Sequence, residues 1–224
     1  MSTDQLIPKV YFADQARSKD RVRGLAEVYT HDREVTAMLD LVADMFPSAE
    51  DPENIDRTFL EPACGHDNFL VAIIARKIQH VTAERYGEGA ELEYRLLRCF
   101  TSTYGIDIDA GNVIEARERM LEVMERHIGD TGIVVSKELL NAVSHVLGTN
   151  VQQADTLADA SSIEFVEYKV VGNGCFLREW SLLQEPEEAE QLDLFTELPP
   201  EPRRDEIPVH YRDLGTASRS EVAT

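Results

Sequence analysis

The chain has 224 residues, enough for one α/β domain and a tail. Hydrophobic residues make up 43%, which supports a real core, and 22 Lys and Arg stand against 42 Asp and Glu for a formal net charge of -20. That balance argues against a protein that grips nucleic acid by its own charge, since such affinity comes from cations facing phosphates. A local basic patch, or a partner that supplies the charge, stays open.

Residues 1–20 read as an N-terminal extension with no cationic and apolar leader pattern. No apolar run reaches the roughly 18 to 20 residues of a membrane span. Cys64, Cys99 and Cys175 are odd in number and widely spaced, so they read as free thiols in a reducing cytoplasm. The six histidines show no metal-ligand spacing, so no metal is expected.

The domain is expected over residues 21–180 and alternates helices and strands. Val35, Met38, Leu39 and Val42 share one face of a helix starting near Asp32. A short buried strand follows at 57–61, then a helix over 69–86 with Asn68 available to cap it. A second strand covers 101–108, a helix 111–127 and another helix 137–147. Strands at 151–155 and 165–171 complete the pattern. Such alternation predicts a parallel sheet covered by helices, an α/β, Rossmann-like fold.

Residues 181–224 differ in kind, with eleven acidic against four basic residues and prolines at 186, 199, 200, 202 and 208. Such a segment buries too little apolar surface to offset its ordering entropy, so it is expected to be largely disordered. The boundary falls near Trp180 to Gln184.

Ligands of such sheets bind at the carboxyl ends of the strands. The first strand ends in E-P-A-C-G-H-D-N-F, Glu61 to Phe69, where Gly65 lets the backbone approach a ligand at a helix N-terminus. The second ends in Y-G-I-D-I-D, where Asp107 suits a ribose diol and Ile108 an adenine face. Asp109 fits a helix N-terminal acid better. The third ends in Q-A-D-T-L, where Asp155 suits an exocyclic amine, or serves as a turn residue.

In that order E-P-A-C-G-x-x-N-F-L, Y-G-I-D-I and A-D-T-L resemble the amino-methylating DNA methyltransferases. The nearest branch is the adenine-N6 modification subunits of type I restriction systems. Upstream, V-Y-T-H-D-R-E-V (Val28 to Val35) is similar to that branch's Tyr/Phe-Thr-Pro cofactor motif. The resemblance implies a class I methyltransferase sheet and S-adenosylmethionine as cofactor. Thr30 would meet the methionine carboxylate, and Glu61 with the turn of Ala63, Cys64 and Gly65 the methionyl amine and backbone. Asp107 would hold the ribose, Ile108 would pack on adenine and Asp155 would take its amine. Phe69 would flank the base or pack beneath it.

Two departures stand out. The family's second loop glycine is Asp67 here, which puts a Cβ and a charge where the cofactor passes. The family's Asn/Asp-Pro-Pro-Tyr/Phe loop, which holds a flipped adenine, aligns with Asn173, Gly174, Cys175 and Phe176, without either proline. This stretch reads either as a degenerate catalytic loop, with Asn173 and the Gly174 carbonyl accepting from N6 and Phe176 stacking, or as a turn. The chain leaves the pattern soon after Trp180, so the sheet is expected to lack the usual last strands.

Within the tail, Q-L-D-L-F (Gln191, Leu192, Asp193, Leu194, Phe195) resembles the peptide by which bacterial replication and repair proteins bind the sliding clamp. The alternative is that its apolar residues pack back onto the domain. Two functions follow from these readings. One is a cytoplasmic adenine-N6 DNA methyltransferase that reaches DNA through a recognition partner. The other is a cofactor- or clamp-binding module without turnover.

Overall fold

A computed structural model describes residues 30–65, 67–158, 160–183 and 203–216. Helix α1 (Asp32–Asp40) turns Val35 and Leu39 into the core, as the apolar spacing predicts. Three strands, β1 (Phe59–Glu61), β2 (Thr103–Asp107) and β3 (Val151–Gln153), form a parallel sheet in the order β1-β2-β3. Parallel neighbours need long crossovers. The first is built from α2 (Asn68–Ile78), α3 (Ala83–Tyr86) and α4 (Ala90–Thr101), the second from α5 (Ala110–Thr131) and α6 (Lys137–Asn150). The helix expected over 69–86 is thus two helices, parted where Thr82 takes an extended backbone.

β2 is buried at every residue because both faces of the sheet are covered. Gly105 faces α2 so closely that a Cβ there would come within 2.5 Å of the Leu70 side chain. Its neighbours Tyr104 and Ile106 point to the other face and form a small cluster with Ile163 and Phe165. The fold is therefore α/β with a three-stranded parallel sheet among the described residues.

The fourth expected strand exists, but not in that sheet. β4 (Glu164–Gly172) pairs antiparallel with β5 (Cys175–Leu182), and β6 (Val209–His210) joins β5, making a separate sheet. β4 crosses the face of the parallel sheet, where its Val166 carbonyl accepts from the Tyr104 hydroxyl at 2.9 Å. The far end of the hairpin leans on α4 and α6: Tyr94 donates to the Cys175 carbonyl, and the Tyr168 and Thr149 hydroxyls bond.

The boundary near Trp180 to Gln184 needs correcting too. Residues 203–216 belong to the domain. The Trp180 amide donates to the Arg203 carbonyl, and Arg178 forms a buried ion pair with Asp205 at 2.8 Å. Tyr211 and Leu214 are fully buried. The Tyr211 hydroxyl donates to Glu93, 118 residues earlier, at 2.5 Å. Prolines and acids made this stretch look solvated, but its apolar residues close the core. Residues 1–20, and Gln191, Leu192, Leu194 and Phe195, lie outside the described residues. Among the described residues no helix is long and apolar enough to cross a membrane.

Candidate functional site at the strand ends

The loops after the three parallel strands are tied into one surface. After β1 the chain turns with Gly65 at φ +54° and Asp67 at φ +81°, both left-handed. Asp67, rather than Asn68, caps α2, its Oδ1 accepting from the Leu70 amide at 3.2 Å. Asn68 is freed for a different task. Its Nδ2 donates to the Thr30 carbonyl at 2.9 Å, and its Oδ1 accepts from Arg119 of α5 at 3.1 Å. Thr30, expected from the upstream motif, is thereby brought beside the β1–α2 turn.

Asp107 is the hub. One carboxylate oxygen accepts from the Gly65 amide at 2.8 Å; the other accepts from the Asp109 amide at 2.8 Å and from Asn112 Nδ2 at 3.1 Å. A carboxylate offers about four acceptor positions, so three protein donors leave room for a ligand hydroxyl. Asp109 caps α5 through the Asn112 amide, the role its position favoured.

The third loop is held by Thr156, whose hydroxyl donates to the Pro62 carbonyl at 2.7 Å. Asp155 is engaged locally, with Oδ1 accepting from the Leu157 and Ala158 amides at 3.0 Å each, the turn-residue alternative. Two apolar side chains stand out into solvent here, Ile108 at 54% exposure and Leu157 at 99%. Phe69 is half-buried and packs against the main core.

Electrostatically the site is acidic. Burial raises the Glu61 carboxyl, which also accepts from the Ala63 amide at 3.3 Å. Cys64 is buried, and its thiol is pushed far up by burial and by Asp67, Asp107 and Glu61, so it is an inert thiol amid three carboxylates. Burial also holds the Asp67 carboxyl well above its usual range, against the pull of Arg119.

Asn173, Gly174 and Phe176 are not part of this surface, which corrects the catalytic-loop reading. Asn173 and Gly174, at φ +52° and +73°, form the two-residue turn of the β4–β5 hairpin. Asn-Gly is the pair such turns favour, because both residues tolerate positive φ. The Gly174 carbonyl is taken by the Tyr211 amide at 2.8 Å. Phe176 is fully buried, its ring 4.9 Å from Tyr94 and 6.0 Å from Tyr168 between centroids.

The hairpin tip also sits at the wrong end of the molecule. Tyr211, which meets Gly174, bonds Glu93, and Glu93 accepts from the amide of Ser136, the N-cap of α6. Ser136 follows α5, whose 22 residues separate its two ends by roughly 33 Å. The loops after β1, β2 and β3 lie at the other end of α5.

Asn112 and Arg119 escaped the sequence reading. Both lie inside an ordinary mixed-charge helix, and only the fold turns them toward Asp107 and Asn68. Compared with known proteins, the chain matches no family model, no curated protein and no solved structure.

Proposed function

We propose that this chain is an adenosyl-cofactor-binding module of the S-adenosylmethionine-dependent methyltransferase type that carries out no transfer through Asn173. The observation behind this reading is Asp107: a buried acid closing the central strand, hydrogen-bonded to the glycine amide of the neighbouring β1–α2 turn. S-adenosylmethionine has a ribose diol for the open acceptor position of Asp107 and an adenine face for exposed Ile108. Its cationic methionyl end suits the acids around Cys64. The Thr30 stretch, tied in through Asn68, borders the same turn.

An adenine-N6 methyltransferase needs an acceptor group and an aromatic ring within reach of the transferred methyl. Asn173 and Phe176 are instead a hairpin turn and a core residue, which favours the module over the enzyme. With a net charge of -20, any DNA contact falls to a partner. The Q-L-D-L-F segment is the candidate contact with a sliding clamp, its apolar residues suiting a hydrophobic groove.

Calorimetric titration of the full chain with S-adenosylmethionine tests this. Micromolar binding, lost in Asp107→Ala that still melts cooperatively, is the expected result. Absence of binding to the folded wild type rejects the reading. Methyl transfer to DNA that depends on Asn173 restores the enzyme.

A further inference from the structure

Asp67 is an unusual residue for the tight turn it occupies. It is fully buried in the left-handed region, one oxygen caps α2, and the other, Oδ2, has no hydrogen-bond partner among the described residues. Buried polar atoms are normally satisfied, and the exceptions call for an explanation.

Among the described residues, charged groups on two elements act on this carboxyl. Glu61 lies at the end of β1, and Glu115 and Arg119 on α5. Asp107, at the end of β2, shares Cys64 with Asp67 and Glu61. Glu61 and Glu115 thus oppose the ionisation of Asp67 while Arg119 favours it, and that guanidinium also serves Asn68.

We propose that Asp67 makes the strand-end site select adenosyl ligands by charge, favouring those with a cationic sulfonium or ammonium beside the β1–α2 turn over their neutral thioether counterparts. This rests on the cofactor reading above. The selection needs no direct contact, because a buried charge acts through a medium of low dielectric on any ion held a few ångströms away. A thioether sulfur gains nothing from that field, so the thioether ligand keeps only the attraction of the amino-acid ammonium that all these ligands share. Burial favours the protonated Asp67 carboxyl in the empty site, while a cation nearby favours the ionised form. A cationic centre at the sulfur position therefore releases more proton from Asp67 to solvent than the thioether does, since the amino-acid ammonium is common to both.

The test is titration of the full chain with S-adenosylmethionine, with S-adenosylhomocysteine and with an analogue carrying an amine in place of the sulfonium. Each is run in two buffers of different ionisation enthalpy. The wild type is expected to bind both cationic ligands at least about tenfold more tightly than the thioether, with greater proton release for the cations. Asp67→Asn, which keeps the shape and removes the charge, brings the three affinities together and abolishes the release. Asp67→Gly, suited to the left-handed backbone, gives the same readout if the amide variant does not fold. Equal affinities in the wild type, or a gap that survives in the folded variant, overturn the proposal and leave the cofactor reading standing. No binding of any adenosyl ligand to the folded wild type overturns both.

Discussion

The Gly65 amide donates to Asp107 Oδ2 at 2.8 Å, joining the turn after β1 to the end of β2. The same carboxylate holds the start of α5 through the Asp109 amide and Asn112. One side chain thus fixes the relative position of two strand ends and a helix. Replacing it with alanine leaves three donors without their acceptor, each worth about 1 kcal/mol. Asp107→Ala is therefore expected to lower the unfolding free energy by about 2–3 kcal/mol, read from urea denaturation, in addition to removing ligand binding. Asn112→Ala should cost less and leave binding weakened but measurable.

Phe176→Ala separates the two roles considered for that ring. A core residue flanked by Tyr94 and Tyr168 leaves a cavity on truncation, and the expected loss is about 3–5 kcal/mol. Cofactor affinity in the remaining folded protein should not change. A stable variant with altered ligand binding would place the ring back in the active surface. Asn173→Ala is expected to cost about 1 kcal/mol, from a Cβ-bearing residue poorly suited to positive φ.

Lys77 predicts how stability depends on pH. Its ammonium is fully buried beneath the sheet, donating to the Arg57 carbonyl and the Ser102 hydroxyl at 2.7 Å each. Burial lowers its pKa to about 7. The unfolded chain holds that proton up to the ordinary lysine range, so between the two values it binds more protons than the native state, and stability rises with pH. Above about pH 9 the trend reverses. Buried Cys64 and Cys99 and the tyrosines at 94, 104, 168 and 211 have raised pKa values, so there the native state holds more protons. Urea midpoints should climb from pH 7 to about 9 and then fall. Lys77→Met should flatten the rising limb.

Asp205→Ala tests the docking of residues 203–216. Removing one partner of a buried ion pair strands the other charge, here Arg178, at a cost of about 3–5 kcal/mol. Trp180, the only tryptophan, lies under the guanidinium groups of Arg203 and Arg178, 4.4 and 5.3 Å from its ring. Its emission is expected to shift as the segment loosens, at denaturant concentrations below the main transition.

The parallel half of the fold was readable because its signals are local. An apolar stretch such as T-Y-G-I-D between helices can only be a strand covered on both faces. Val35 and Leu39 announce a helix face. Helix α4 carries the same kind of local signal, in Leu92, Leu96 and Phe100 on its buried face. At the hairpin two signals competed for the same residues. The Asn-Gly pair called for a turn, the motif register called for a catalytic loop, and the backbone geometry followed the turn. The docking of Tyr211 on Glu93 was not legible at all, since nothing near either residue marks a contact across 118 positions. At the site, Asp107 was legible by its place after a strand. Asn112 and Arg119 acquire their roles only when α5 packs beside the turn.

The Q-L-D-L-F segment belongs to a stretch fastened at both ends, by the Leu183 amide on the Ile163 carbonyl and by Arg203 and Asp205 on β5. A partner would therefore meet it as a closed span, not as a free end. It also follows that one protease cut between positions 184 and 202 should not release the last 20 or so residues. Tyr211, Leu214 and the Arg178–Asp205 pair would hold the two fragments together as a nicked, native complex. The two pieces, produced separately, should then be able to find each other and fold.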